Sequence, residues 1–255
     1  MTADHIRPHH HDDRHAGATG QAVFFDSLAD AFERFADVHD GFYRPWLSAA
    51  IPDRSDDSDS RAADLGCGSG RFTGLLADRH AEVLAVDIAD RELAIARARR
   101  ARPNIAYQHR SLLDVTPDND GRFDLVLSVN AIHHVRDHDT VLPHVRGLVA
   151  PGGLAVLVDV VRVSRHQHAR WWHRKEALTD AARVLARRRS PAKAADVLRL
   201  RLDGTWLDHV TTNIPLTREE FHERYAAVFT GAEFEDGLSY VVAAMRWRAP
   251  AGSQP

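Results

Sequence analysis

Two patterns of apolar and polar residues alternate through the middle of the chain. Short apolar runs typical of buried strands alternate there with stretches typical of helices. The runs predict strands at residues 62–65, 82–86, 104–109, 123–129 and 154–160, and the stretches predict helices at 71–79, 90–101 and 141–148. Asp90 is the predicted N-cap of the second helix, and APGG at 150–153 predicts a turn. This alternation indicates a parallel sheet with right-handed crossovers.

The segments on either side of this region predict further elements. Phe25, Phe32 and Phe35 follow helical spacing, which predicts one or two amphipathic helices within residues 21–50. Residues 52–60 form a polar linker rich in Asp and Ser.

The C-terminal third begins with helices and ends with strands. Residues 162–202 have helical patterns and no strand signal. Thr217 and Glu220 match a capping box, which predicts a helix at 217–229. Two apolar runs at 232–238 and 240–247 then predict strands joined by a tight turn.

Composition excludes several classes of protein. The 255 residues are 44% hydrophobic and carry a net charge of −3, which excludes a wholly disordered chain, and the single cysteine excludes a disulfide scaffold. The best apolar run, at 154–161, contains Asp159 and is too short to span a bilayer. The N-terminus lacks the apolar stretch of a secretory signal. We therefore expect a cytoplasmic protein with no membrane partner.

Charge is distributed unevenly along the chain. Residues 1–60 hold 12 acids and 5 bases, whereas residues 162–202 hold 12 bases and 3 acids. The basic segment is either a set of solvated helices or a surface for an anionic partner.

The segment DLGCGSG, from Asp64 to Gly70, carries the strongest chemical signal. It follows the first predicted strand and opens a helix. Glycines permit a tight turn and let a ligand approach the backbone, and a helix N-terminus offers free N–H groups to an anionic group.

An acid at the end of the second predicted strand narrows the choice of ligand. Asp87 lies 17 residues after Gly70, and a carboxylate there can accept hydrogen bonds from both hydroxyls of a ribose. The GxGxxG fingerprint of nicotinamide-dependent oxidoreductases would need a third glycine at the position of Arg71. The spacing therefore argues against a dinucleotide.

These motifs resemble those of the class I S-adenosylmethionine-dependent methyltransferases, in particular the broad small-molecule group. The similar stretches are DLGCGSGRFTGLL, LAVDIAD, RFDLVLSVNAIHHV, VRGLVAPGGLAVLVD and EEFHERYAAVFTGAEFEDGLSYVVAAMRW. The resemblance implies an α/β, Rossmann-like fold with a seven-stranded, mostly parallel sheet, an antiparallel C-terminal strand and a helical cap. It also implies S-adenosyl-L-methionine as the cofactor.

The resemblance assigns the cofactor contacts residue by residue. The residues it places at the cofactor are Asp64, Gly66, Cys67, Gly68, Gly70, Asp87, Ile88, Ser111, Leu112 and Asn130. The glycine loop and its preceding acid would hold the methionine end, Asp87 the ribose and Ile88 the adenine, while Asn130 would lie beside the sulfonium. Ser111 occupies the place of the family's adenine-binding acid, so that contact is left either to Ser111 with the Leu112 backbone or to Asp114.

Three residues are candidates for removing a proton from the methyl acceptor. His133 and His134 follow the fourth predicted strand, and Asp159 ends the fifth. Either imidazole could instead be packed and hydrogen-bonded to the backbone. A sulfonium methyl is already activated, so its transfer depends mainly on alignment and a dry site. No metal site is predicted.

The expected organisation has five parts. They are a disordered His-rich tail at 1–20, an N-terminal helical lid and linker at 21–60, an S-adenosylmethionine-binding core at 61–161, a basic helical cap insert at 162–212, and a C-terminal helix and strand pair at 213–255 that completes the core. Trp171, Trp172 and Trp206 either pack the cap onto the core, line a pocket for a planar or anionic small molecule, or help dock an acidic carrier protein or nucleic acid.

The predicted function is methyl transfer to a small-molecule acceptor, with O-methylation first, then N- or C-methylation, and secondary metabolism as the expected setting. One alternative is an RNA or protein methyltransferase that uses the basic insert, although the negative total charge and the absence of an NPPY motif argue against nucleic acid. Another is a cofactor-binding protein without turnover. The choice between a monomer and a homodimer is open.

Overall fold

A seven-stranded sheet forms the centre of the computed structural model, which describes residues 12–53, 59–135 and 137–252, with only the backbone at 12–19 and 42. The strands are β1 (Arg61–Leu65), β2 (Glu82–Asp87), β3 (Ile105–His109), β4 (Phe123–Val129), β5 (Val149–Val160), β6 (Glu233–Ser239) and β7 (Val242–Arg248). Their order is β3-β2-β1-β4-β5-β7-β6. The first five strands are parallel, and β7 is antiparallel to both β5 and β6. The predicted fold class is thereby confirmed.

Helices cover both faces of the sheet and build a cap beyond it. They are α1 (Asp12–His39), α2 (Tyr43–Ala50), α3 (Thr73–Ala77), α4 (Asp90–Arg100), α5 (Pro117–Asp120), α6 (His138–Gly147), α7 (Arg170–Arg188), α8 (Pro191–Arg201), α9 (Gly204–Thr212) and α10 (Arg218–Val228). Single 3-10 turns lie at Asp40–Phe42, Leu112–Asp114 and Ile132–His134. Among the residues described, no helix is both long and apolar enough to cross a bilayer.

Three local predictions were wrong at their boundaries. Helix α1 begins at Asp12, so 12–20 are not a disordered tail, whereas residues 1–11 lie outside the described part. Ala16 and Ala18 favour a helix, and a helix that has already formed gains one hydrogen bond for each added residue. The turn predicted at 150–153 lies inside β5. The pairing of β5 with β4 shifts its register there, so the strand continues through these residues.

The third difference concerns the start of α4. Its N-cap is Ala89 and not Asp90, and no side chain of the cap residue closes the helix. Instead Asp26 of α1 accepts a hydrogen bond from the Arg91 N–H at 2.8 Å. A distant acid thus satisfies one of the free N–H groups of this helix.

Each face of the sheet has its own apolar core. On one face, α6 and α10 pack Val141, Leu142, Phe221 and Tyr225 against the strands. On the other face, α2 contributes Leu47 and the segment around α3 contributes Leu76. Because β4 is covered on both faces, its apolar run needs no polar alternation. The capping box of Thr217 and Glu220 at the start of α10 is confirmed.

The cap follows β5 and meets the N-terminal helix. Helices α7 and α8 pack against each other and against the end of α1 through Val38, Ala181, Val184, Ala194 and Val197. This contact brings α1 across the carboxyl ends of the parallel strands, where ligands bind in open α/β sheets.

Candidate active site

The glycine-rich loop joins β1 to α3 in a backbone conformation that requires glycine. Gly66, Gly68 and Gly70 have φ values of 75°, 50° and 76°. A Cβ atom on Gly66 would lie 2.3 Å from the Ala131 Cβ, and one on Gly70 would lie 2.6 Å from the Tyr107 Oη. Helix α3 begins only at Thr73, so turns, rather than the first turn of a helix, follow the glycines.

Two acids flank this loop and hold it in place. Asp87, at the end of β2, accepts hydrogen bonds from the Gly68 N–H at 2.7 Å and from the Ala89 N–H at 2.8 Å. Asp64, near the end of β1, accepts a hydrogen bond from the Thr73 hydroxyl at 2.5 Å. Each carboxylate oxygen retains a lone pair for a further donor.

Burial makes the acids around the loop resist ionisation. It raises the pKa of Asp64 to about 7, and the charge of Asp87 adds to that effect. It raises the pKa of Glu92, on α4, to about 8, again with help from Asp87. The pKa of Asp87 is raised by burial and partly restored by its backbone hydrogen bonds. A cationic ligand would favour the ionised form of all three.

A cavity of about 570 Å³ opens in front of these acids. Most of the residues predicted to bind the cofactor line it: Asp64, Gly66, Cys67, Gly68, Asp87, Ile88, Ser111, Leu112 and Asn130. Gly70 is not part of the wall, so the structure shows a turn-forming role for it and no cofactor contact. His134 lies in the wall, but His133 and Asp159 do not.

The thiol of Cys67 faces this acidic surrounding. Burial, together with the charges of Asp64 and Asp87, raises its pKa well above the usual value. The thiol therefore stays protonated, as expected for a small buried residue and not for a nucleophile.

Ser111 and Asp114 form a capping box at the 3-10 turn that follows β3. The Ser111 hydroxyl accepts from the Leu113 N–H at 3.2 Å, and the Asp114 carboxylate accepts from the Ser111 N–H at 3.2 Å. Both side chains and Leu112 reach the cavity wall. The two alternatives for the adenine contact are therefore parts of one local structure.

Asn130 occupies a special backbone position directly after β4. Its φ is 56°, and its N–H continues the sheet by donating to the Val158 carbonyl at 2.8 Å. Its side-chain amide donates to the hydroxyl of Tyr43 at 3.0 Å. The residue lines the cavity, and its Oδ1 atom is buried and has no hydrogen-bond partner among the described residues. A buried acceptor without a partner is costly unless a ligand supplies the donor.

The imidazole of His134 is hydrogen-bonded from outside the cavity. Its Nδ1 accepts from the amide of Asn213 at 2.8 Å, because an amide nitrogen can only donate. Burial, assisted by His133 and His209, lowers the pKa of His134 well below the usual value. The neutral ring therefore carries its proton on Nε2. This arrangement does not support the predicted role of His134 as a base.

His133 and Asp159 form a buried pair behind His134. The Asp159 carboxylate accepts from the His133 N–H at 2.8 Å and contacts the His133 Nδ1 with its other oxygen. The hydroxyl of Tyr225 donates to the same carboxylate at 3.5 Å. The ring centroids of His133 and His134 are 3.8 Å apart. The pair thus orients the turn that carries His134 and does not itself reach the cavity.

Helix α1 roofs the cavity and is tied to the glycine-rich loop by Arg71. This arginine donates to Glu33 at 3.0 Å and to Asp37 at 2.9 Å, and it also pairs with Asp40. Glu33 additionally accepts from the Ser69 hydroxyl at 2.8 Å. Burial opposes ionisation of Glu33, but hydrogen bonds from Arg100 and Ser69 lower its pKa to about 2.

The wall residues missed by sequence reasoning include Glu33, Asp40, Tyr43, Arg71 and Glu92. A signal for part of this set was present, because acids recur at 26, 30, 33, 37 and 40 with the three- and four-residue spacing of one helix face. Nothing in the local sequence marks Glu92 as buried.

Part of this chain is similar to known proteins. The profile of a family described as a methyltransferase domain matches residues 63–157. Residues 63–157 are a class I S-adenosylmethionine-dependent methyltransferase domain. An uncharacterized methyltransferase of Mycobacterium tuberculosis is 38% identical over 110 residues, which are 43% of this chain and 54% of that protein. A ubiquinone biosynthesis O-methyltransferase of Pseudomonas aeruginosa is 28% identical over 144 residues, which are 54% of this chain and 61% of that protein.

The chain thus spans little more than half the length of the curated relatives it matches. A solved structure, the complex of DhpI with S-adenosylhomocysteine, superposes with a TM-score of 0.59 at 19% identity and covers 94% of this chain and 99% of that one. This similarity supports the fold of the methyltransferase domain beyond the matched segment.

S-adenosylmethionine is the cofactor of this domain, and the wall residues fit it. The cofactor carries a sulfonium and an ammonium, and the wall holds Asp64, Asp87 and Glu92, whose pKa values burial has raised. Arg71, which directly follows the loop in the chain, is engaged by Glu33, Asp37 and Asp40. The site therefore favours an added positive charge.

Proposed function

We propose that this protein transfers the methyl group of S-adenosylmethionine to the hydroxyl of a small molecule that binds beneath α1. The observation that carries the proposal is the buried Oδ1 of Asn130, which has no partner among the described residues, on a residue that lines the cofactor cavity. Ala131 packs against Gly66. Asn130, its neighbour in the chain, therefore lies beside the glycine-rich loop. A protic acceptor would supply the missing donor.

The size and walls of the cavity favour a small acceptor. The cavity of about 570 Å³ has to hold cofactor and acceptor together. Phe25, Phe32 and Ala36 of α1 form its apolar side, which suits a planar or aliphatic body. No described residue of α7, α8 or α9 lies in the wall, so the basic insert does not face the reaction. This weakens the alternative of an RNA or protein substrate.

The polar groups of the wall can orient such an acceptor. Tyr43 fixes the amide of Asn130, whose Oδ1 then accepts the hydrogen bond of the acceptor's hydroxyl. His134 offers its Nε2–H as a donor to a second polar atom of the acceptor. The cofactor, when bound, supplies the activated methyl group, and Asn130 and His134 align the oxygen that receives it.

A hydroxyl is preferred over an amine because the Pseudomonas aeruginosa relative is named as an O-methyltransferase. An amine would also satisfy Asn130, and a protein that binds the cofactor without turnover is the remaining alternative. The predicted location in the cytoplasm and the setting in secondary metabolism stay predictions.

The test combines cofactor binding with methyl transfer. The purified chain is titrated with S-adenosylhomocysteine by calorimetry and then incubated with radiolabelled S-adenosylmethionine and panels of phenols, aliphatic alcohols and amines. Binding and a labelled methyl ether support the proposal. Label in amines alone would make the protein an N-methyltransferase, and binding without any labelled product would favour the silent alternative.

Asn130→Gly tests the orienting residue, since glycine tolerates the positive φ. With the acceptor found in the screen, we expect kcat/KM to fall roughly twofold to tenfold, the effect of losing one neutral hydrogen bond. The affinity for S-adenosylhomocysteine should change less than kcat/KM, because the glycine-rich loop and Asp87 are left intact. Equal kcat/KM in both proteins would contradict the role of Asn130.

A further inference from the structure

The outer face of α7 carries a line of exposed apolar side chains. Trp171, Leu178 and Leu185 are 56%, 61% and 46% exposed. A spacing of seven residues is close to two helical turns, so the three side chains follow one line about 21 Å long. Ala182 is exposed on the same face. We call these four residues the α7 stripe.

The stripe is not needed to hold the fold together. The opposite side of α7 buries His173, Ala177, Ala181 and Val184. Trp206 packs against Phe24 and Phe32, as expected for a tryptophan that fixes the cap. Trp171 does not follow that expectation, because more than half of its surface is exposed.

Unpaired cations border the stripe. Arg174 and Lys175 flank the stripe, and Arg187 and Arg189 are exposed at the C-terminal end of α7. None of the four forms an ion pair with any carboxylate that the structure describes. Such a combination of tryptophan, leucine and bases on one helix face is typical of helices that lie in the interface of an anionic bilayer.

The acids of α7 are occupied elsewhere. Glu176 accepts from the hydroxyl of Tyr240 at 2.8 Å. Asp180 faces inward, where it pairs with His39 at 2.9 Å and Arg201 at 2.7 Å. No exposed residue of α7 is acidic, so positive charge predominates on its outer face.

We propose that the α7 stripe and its flanking bases dock this protein on the surface of a bilayer that contains anionic lipids. Tryptophan and leucine would enter the boundary between headgroups and acyl chains, and the arginine and lysine side chains would reach the headgroup phosphates. The expectation of no membrane partner rested on the lack of a long apolar run, which bears on a spanning segment only.

Two other occupants fit the face less well. A second copy of the chain would bring Arg174, Lys175 and Arg189 against the same cations, and like charges across an interface oppose association. An acidic protein would match the charge, but a straight line of three large apolar side chains needs a groove of the same length. An anionic bilayer supplies both the negative charge and an apolar layer, and it needs no groove of matching shape.

The test uses the full chain and vesicles of defined composition. The protein is co-sedimented with vesicles of phosphatidylcholine alone and with vesicles that also contain phosphatidylglycerol. We expect binding to the anionic vesicles that weakens as NaCl is raised, and little binding to phosphatidylcholine. Failure to bind the anionic vesicles at low salt would overturn the proposal.

Leu178→Asp separates docking from general attraction to charge. Loss of one buried leucine is expected to weaken binding to the anionic vesicles at least tenfold. Val23→Asp is the matched control, since Val23 is 65% exposed on α1, and it should bind like the unchanged protein. Replacing Arg174 and Lys175 by Gln should weaken binding about fivefold for each base removed. Circular dichroism checks that each variant is folded.

Two further outcomes would contradict docking of the α7 stripe on a bilayer. Equal vesicle binding by Leu178→Asp and Val23→Asp would reduce the interaction to non-specific charge and contradict the stripe. Dimers in sedimentation velocity that disappear in Leu178→Asp, without vesicle binding, would assign the face to a second copy. Methyl transfer does not enter these measurements, so their result is independent of the proposed function.

Discussion

The central sheet and the contact between α1 and the glycine-rich loop are both buried, but different forces hold them. In the sheet, Leu125 of β4 is fully buried among apolar side chains, and such contacts need no particular direction. At the α1 contact, Glu33, Asp37 and Asp40 surround Arg71. Hydrogen-bonded ion pairs depend on geometry and on protonation. This contact therefore fixes the position of α1 over the cavity.

The difference teaches where this fold can respond to its surroundings. The apolar side chains packed on the sheet respond mainly to loss of volume, since they have no charge to change. The α1 contact responds to the loss of a single charge, and the neighbouring acids Asp64 and Glu92 respond to pH. Three measurements, from the largest expected effect to the smallest, sharpen this contrast.

Leu125→Ala tests the apolar sheet. We expect a loss of about 2–5 kcal/mol in the free energy of unfolding, the range for leucine truncations in cores. Urea unfolding at low and high NaCl measures it. The loss should be the same at both salt concentrations, and a loss that depends on salt would contradict the apolar assignment of this region.

Glu33→Gln tests the charged roof. The change preserves volume and removes the charge shared by Arg71 and Arg100, so we expect about 1.5–3 kcal/mol lower stability by urea unfolding. The affinity for S-adenosylhomocysteine should fall as well, because Ser69 of the loop loses its charged partner.

Asp30→Asn is the control for the roof, because its pair with Arg91 is more than half exposed on both sides. It should cost about 0–1 kcal/mol and lose that effect in high salt, whereas the buried Glu33 pairs should be screened little. Equal losses of stability in the two variants would mean that burial of the Glu33 pairs adds nothing to the free energy of unfolding.

The pH dependence of cofactor binding tests the acids of the wall. The folded pKa values of about 7 for Asp64 and about 8 for Glu92 lie above those of unfolded chains. The uncomplexed protein should therefore lose stability as pH rises from about 4 to 8. A bound cation favours the ionised acids, so the affinity for S-adenosylmethionine should rise between pH 6 and 8.5, by at most about tenfold per pH unit for each acid.

Calorimetry in buffers of different ionisation enthalpy counts the protons released on binding. Glu92→Gln should remove the part of the rise nearest pH 8 and leave the part nearest pH 7. An affinity that does not change with pH would show that the ionisation of these acids is not linked to the cofactor.

Local patterns were sufficient for the strands and for the glycine-rich loop. Glycines with positive φ and an acid at the end of the next strand are short-range features, so Gly66, Gly68 and Asp87 could be placed from sequence. The capping box of Thr217 and Glu220 depends on residues three apart and was also predicted correctly. Asp90 was wrongly assigned as an N-cap. The acid that accepts from the first turn of that helix is Asp26, which lies 65 residues before Arg91 and is therefore invisible to a local pattern.

The reacting side of the site depended on contacts between distant residues. Sequence reasoning treated His133 and His134 alike, but Asp159 holds the first outside the cavity and Asn213 fixes the proton of the second. The acids of α1 were counted as a charge excess, and their pairing with Arg71 was not foreseen. Spacing along a helix shows that such residues share a face but does not say what that face meets.

By itself, the sequence determined the order of strands and helices, the glycine turn and the acid that faces it, because neighbouring residues set backbone conformation and hydrophobic period. Only the tertiary structure decided which polar groups remain without a partner, as Asn130 Oδ1 does. It also decided which apolar residues stay exposed, as Trp171 and Leu178 do on α7. Hydrogen-bond satisfaction and burial are properties of surfaces brought together from distant parts of the chain, so no local pattern contains them.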